Sequence, residues 1–114
     1  MPVIVAYGDS NTWGYDPAAG ARFPAGVRWT GVMSAALGAD FRVIEEGLNG
    51  RTSVFDDPIE PYRNGLDYLP PCLLSHAPLD LIDGAARVYD PIVRGEQGED
   101  LYDCFLKDYA KSAW

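Results

Sequence analysis

The amino-acid sequence predicts a small α/β domain built on a parallel sheet, and three of its segments carry that prediction. The chain opens on a strand-like apolar run, Val3-Ile4-Val5-Ala6-Tyr7, which ends in Gly8-Asp9-Ser10. A helix-like segment follows over residues 30–38, and a second strand-like run, Phe41-Arg42-Val43-Ile44-Glu45, comes directly after it. Strand, helix, strand in that order is a βαβ unit, whose two strands pair in parallel. With 114 residues the chain allows one domain, short for a complete doubly wound α/β enzyme.

The first run is apolar at every position, as expected of a parallel strand buried on both faces. Its carboxyl end is where open α/β sheets place their sites. Residues 11–27 are rich in Gly, Pro and Ala and read as a surface loop carrying Trp13, Tyr15 and Phe23. Thr30 is expected to cap the first long helix, Val32, Ala36 and Leu37 to form its apolar stripe, and Gly38 to end it. A polar loop spans Glu46 to Arg63. Asn64, with Asp67 three residues on, is expected to cap a helix running to about Ser75, kinked at Pro70-Pro71, with Leu66, Leu69, Leu73 and Leu74 turned to the core. Leu79-Asp80-Leu81-Ile82 opens a third strand that Asp83-Gly84 interrupts. Beyond it lie an apolar patch at 88–93, broken by Pro91, and an amphipathic segment, Glu99 to Lys111, with Leu101, Phe105 and Tyr109 on one side.

Composition narrows the function classes. A net charge of −8 is spread along the chain and no basic residues cluster, so neither nucleic acid nor an anionic membrane surface is an expected partner. An acidic substrate would have to meet an arginine such as Arg22, Arg28 or Arg51. Cys72 and Cys104 show no C-x-x-C spacing, and Asp56, Asp57 and Glu60 lie in a Pro-containing loop as solvated carboxylates do. No metal and no cofactor are expected. No segment has the pattern of a signal peptide or a membrane span, so the default location is cytoplasmic.

Ser10, at the end of the first strand, is the candidate nucleophile. Acyl transfer from an ester needs such a hydroxyl, a base to take its proton, and N–H donors aimed at the developing oxyanion. The Ser10 N–H is one donor, and the loop after the second strand, at Asn49-Gly50, is where a second is expected. His76 is the single histidine. It ends the Asn64 helix, where a histidine more often meets the terminal carbonyls or solvent than serves as a base.

Three segments together resemble the GDSL/SGNH hydrolase family, in its arylesterase or acyltransferase-like branch: Gly8-Asp9-Ser10-Asn11-Thr12-Trp13-Gly14-Tyr15-Asp16-Pro17, Val27-Arg28-Trp29-Thr30-Gly31-Val32, and Glu45-Glu46-Gly47-Leu48-Asn49-Gly50-Arg51-Thr52. The likeness continues through Asp56-Asp57-Pro58 and Asn64 to Cys72, as far as Leu81. It implies a flavodoxin-like α/β/α three-layer fold acting on small carboxylic esters without a metal. It also implies Ser10 as nucleophile and oxyanion donor, and Gly50 as the second donor. Asp9 is expected to support the turn and, with Trp13, Tyr15 and Asn49, to lie beside the substrate.

The family's Gly-x-Asn-Asp segment and its Asp-x-x-His segment, which supply the third donor, the acid and the base, do not occur in this sequence. Residues 1–81 are therefore assigned as the SGNH-like part and 82–114 as a divergent segment of the same domain, truncated relative to the family pattern. Activity is expected to be weak or nil. The alternative is a non-catalytic acyl- or ester-binding or protein-interaction module derived from the fold. A sheet edge left unpaired is expected to be covered by the 99–111 segment or by a second copy of the chain.

Overall fold

The computed structural model describes residues 2–83 together with the backbone at 88 and 89. Strand β1 is Val3–Gly8, followed at once by a short helix α1, Ser10–Trp13. A small hairpin, β2 (Tyr15–Asp16) and β3 (Ala21–Arg22), stands where the sequence reads as plain loop. Its turn is made locally: Asp16 Oδ1 accepts from the Ala18 and Ala19 N–H groups, an Asx arrangement that needs no hydrophobic pattern. Helix α2 is Trp29–Leu37, β4 is Arg42–Gly47, α3 is Gly65–His76, β5 is Asp80–Asp83 and β6 is Val88–Tyr89.

The main sheet runs β4-β1-β5-β6. β1 pairs in parallel with β4 (Val5 opposite Ile44, Gly8 opposite Gly47) and with β5 (Val5 opposite Leu81). The parallel pairing expected of the βαβ unit is thus observed, and a third parallel strand continues it. β6 pairs antiparallel with β5, so the sheet continues past the third strand through Val88 and Tyr89. The expected amphipathic segment at 99–111 lies outside the described residues.

Alternation along the strands sorts the two faces. Val5, Tyr7 and Leu81 point to one face and are fully buried against Leu69, Cys72 and Leu73 of α3, with Val3, Ile44 and Leu66 packed around them. Ile4 and Ala6 are buried on the other face, where α2 lies along β4.

Local expectations need three corrections. α2 starts at Trp29, with Arg28 as N-cap and no side-chain cap. Thr30 is inside the first turn, fully buried, its hydroxyl donating to Glu45. Val32 is half exposed and Ala36 exposed; the face that α2 turns inward carries Thr30, Met33, Ser34 and Leu37, so of the expected stripe only Leu37 is on it. On α3, Leu74 is 64% exposed and Cys72 takes the place expected of it in the core. Asn64 does cap α3, its Oδ1 accepting from the Leu66 and Asp67 N–H groups. Pro70 and Pro71 fall inside the helix.

Candidate functional site

Ser10 sits where the chain turns from strand to helix. Asp9 is the N-cap of α1, and its Oδ1 accepts from the Asn11 N–H at 3.0 Å. The Trp13 N–H reaches the Asp9 carbonyl and the Gly14 N–H the Ser10 carbonyl, each at 2.9 Å, which closes a single turn of helix. That turn rests directly on the end of β4. A Cβ at Gly47 would lie 2.3 Å from the Trp13 nitrogen, so only glycine lets the two backbones approach this closely. Ser10 is half-buried. Among the described residues, nothing hydrogen-bonds its hydroxyl or its N–H.

The second loop leaves the same edge of the sheet. Gly8 and Gly47 are register partners, and the Leu48 N–H donates to the Gly8 carbonyl at 3.1 Å. Leu48 to Arg51 then form a tight turn closed by Arg51 N–H to Leu48 O, with Gly50 at φ +80°. A positive φ at the third residue is the signature of a type II turn and the reason for glycine there. The Gly50 N–H, like that of Ser10, has no acceptor among the described residues.

Arg51 locks the two loops together. It is 7% exposed, and its Nη1 donates to the carbonyls of Gly8 (3.2 Å) and Glu46, the ends of the two paired strands. Its guanidinium lies 4.3 Å from the centre of the Tyr7 ring and 5.3 Å from that of Tyr68. Buried Tyr7 in turn donates its hydroxyl to the Gly65 carbonyl at 2.6 Å, tying β1 to the start of α3; burial raises its pKa above the usual phenol value.

Arg28 and Arg22 are also engaged internally. Arg28 binds Glu45 through two nitrogens, at 2.6 and 3.1 Å, and also donates to the Phe23 carbonyl. Arg22 donates to the Trp13 carbonyl, stacks 4.9 Å over the Trp13 ring and lies 3.8 Å from Glu45. The hydrogen bonds from Arg28, supported by the Thr30 hydroxyl, outweigh partial burial and hold the Glu45 carboxyl down at about 2.

Of the residues expected beside a substrate, Trp13 is half-buried at the end of α1, and Tyr15 is 43% exposed on the hairpin. Asn49 gives its carbonyl to Arg63 Nε at 3.0 Å, while its Oδ1 is buried without a partner among the described residues. The acidic loop has internal partners: Asp57 Oδ1 caps the Ile59 and Glu60 N–H groups, Asp56 accepts from Asn64, and Glu60 pairs with Arg63. A cavity of about 520 Å³ lies beyond the end of β4, walled by Glu46, Leu48, Arg51, Tyr62, Tyr68 and Pro71. Neither Ser10 nor Gly50 lines it.

His76 does not meet the terminal carbonyls of α3. Its Nε2 is 2.9 Å from Glu46 Oε1 on β4, with both side chains about three-quarters buried or more. This partnership was legible only after folding, since thirty residues separate the two.

No family model and no curated protein matches this chain. Solved structures do. The aryl esterase of M. smegmatis is 53% identical, covering 73% of this chain and 41% of its own, with a TM-score of 0.67. The matched part of this chain belongs to the GDSL/SGNH hydrolase family. Two further SGNH relatives are similar to it: a carbohydrate acetylesterase family member from Sinorhizobium meliloti (47% identity, 73% and 40% of the two chains, TM-score 0.68) and Est24, a carbohydrate acetylesterase from the same organism (44%, 73% and 41%, TM-score 0.67). The chain spans about two-fifths of the length of these SGNH structures. Among the described residues no helix is long and apolar enough to cross a membrane.

Proposed function

We propose that this chain carries the nucleophile side of an SGNH-type acyl-ester site, with Ser10 attacking the carbonyl carbon of a small carboxylic ester. The developing oxyanion is received by the Ser10 and Gly50 N–H groups, while Asp9 fixes the turn that presents them. Trp13, Tyr15 and Asn49 are the neighbours assigned to substrate binding. The observation that carries this reading is the pair of N–H groups without acceptors among the described residues, on two loops that leave register-paired strand ends. Identity above 40% to an aryl esterase and to carbohydrate acetylesterases supports it.

No described side chain hydrogen-bonds the Ser10 hydroxyl, and the one imidazole is engaged with Glu46. A serine without its base keeps only a residual advantage of about 10³–10⁴ over water, from binding and the oxyanion hole. Slow turnover is therefore the expected outcome, and that same observation favours a second reading, a non-catalytic ester-binding module. Hydrolysis of p-nitrophenyl acetate and labelling by a fluorophosphonate probe, each compared with Ser10→Ala, separate the two. Slow hydrolysis and slow labelling, both lost in Ser10→Ala, support the esterase. Absence of labelling with retained affinity for an ester analogue supports the binding module.

A further inference from the structure

A second group of side chains, unused by acyl transfer, gathers between α3 and the end of β4. Cys72 and His76 are four residues apart on α3 and so share one face of the helix. Glu46 reaches them from the sheet. One Glu46 carboxylate oxygen, Cys72 Sγ and one ring nitrogen of His76 all lie within 4.8 Å of one another. We propose that Glu46, Cys72 and His76 form a binding site for a borderline divalent cation, Zn²⁺ foremost.

The donor set decides the class of ion. One sulfur, one nitrogen and one oxygen suit zinc, whereas Mg²⁺ and Ca²⁺ take oxygen cages. Zinc bonds of about 2.0–2.3 Å place neighbouring ligand atoms roughly 3–4 Å apart, so a cation enters if the His76–Glu46 contact opens slightly and the widest pair closes by about 1 Å. Cys72 is 1% exposed, which makes the thiol side of the site dry. Glu46 also borders the 520 Å³ cavity, so solvent reaches the carboxylate side and a water completes a four-ligand shell.

Without a metal, burial and the nearby Glu46 charge keep the thiol protonated, pushing it up to about 12. Coordination releases that proton to solvent, and the resulting thiolate and carboxylate together neutralise the two charges of the ion. That neutrality matters because the Arg51 guanidinium is close enough to favour the Cys72 thiolate and to oppose any net positive site. Such an ion would clamp the end of α3 to β4, whether or not Ser10 is reactive. The expectation of no metal took both cysteines to lack a C-x-x-C spacing and a nearby Cys or His, and so passed over the Cys72-x-x-x-His76 spacing on one helix.

The test is a Co²⁺ titration of the full reduced chain, followed by Zn²⁺ displacement. One equivalent of Co²⁺ should produce a thiolate-to-cobalt charge-transfer band in the near ultraviolet, and Zn²⁺ should abolish it and raise Tm, reversibly with EDTA. Cys72→Ala should remove the band, and Cys104→Ala should keep it. Because Cys72 is a core residue, His76→Gln, at a partly exposed position, serves as the second variant. It should retain the far-ultraviolet dichroism of the parent and bind Zn²⁺ at least about tenfold more weakly. A folded chain that gives no thiolate band, a band that follows Cys104 instead of Cys72, or undiminished Zn²⁺ affinity in His76→Gln would overturn the assignment.

Discussion

The two faces of the sheet are covered by different physics. Against α3 the contact is apolar: Val5, Tyr7 and Leu81 meet Leu69, Cys72 and Leu73 with almost no exposed area. Against α2 a smaller apolar patch, Ile4 and Ala6, is joined by an ionic grip, with Glu45 held by Arg28 and Thr30 and approached by Arg22. The apolar face depends on volume and shape at its centre, with the His76–Glu46 pair at its margin. The ionic face needs few residues to hold a short helix in place, because a bidentate arginine fixes direction as well as distance. That grip depends on the charge of one carboxylate. The Ser10 turn lies at the edge between them, braced by α1 against β4 and by Arg51 against both strand ends.

Leu69→Ala should do most to break the apolar face. It should lower stability by about 2–5 kcal/mol, the cost of lost burial plus a cavity, with the same loss at pH 4 and pH 7 in urea unfolding. A loss below about 1 kcal/mol would mean that α3 is not seated as described.

Glu45→Gln probes the ionic face, where about 2 kcal/mol should be lost at pH 7. The sign with pH follows from the depressed folded-state value. The unfolded carboxyl titrates near the ordinary 4.5 and the folded one near 2, so Glu45 contributes its full stabilisation above about pH 5 and loses it as pH falls through 2. The gap between the parent and Glu45→Gln, measured by urea midpoints across that range, should close from pH 5 down to pH 2. A gap that stays constant would show that the carboxylate charge is not what binds α2.

Asn64→Ala sharpens the comparison at smaller scale. It removes the cap of α3 at the edge of the apolar face and should cost about 1 kcal/mol.

Local signals in the sequence identified much of the fold. The unbroken apolar run of β1 and the Asn64 cap each act within a few residues and each appears where expected. Two failures share a cause. Thr30 has the chemistry of a cap, yet its hydroxyl is drawn inward by Glu45, fifteen residues away. Leu74 has the chemistry of a core residue, yet it faces away from the sheet while Cys72 points to it. In both cases a tertiary partner overrode a local preference. For the candidate site, the Gly8-Asp9-Ser10 turn and Gly50 were legible because glycine marks unusual backbone wherever it occurs. Arg51 was legible only as a charge, since nothing near it in the chain reveals that it holds the carbonyls of Gly8 and Glu46.

Residue order alone determined the strand-helix-strand topology, the place of Ser10 beyond a buried strand and the resemblance to SGNH hydrolases, because periodicity, caps and glycines are short-range physics. Only the folded molecule decided that Glu46, Cys72 and His76 converge, that Glu45 captures α2, and that Arg51 stacks on Tyr7 while bracing two loops. Those arrangements join residues that approach one another only once parallel pairing sets the register, and a register is a property of the whole sheet, which no single segment encodes.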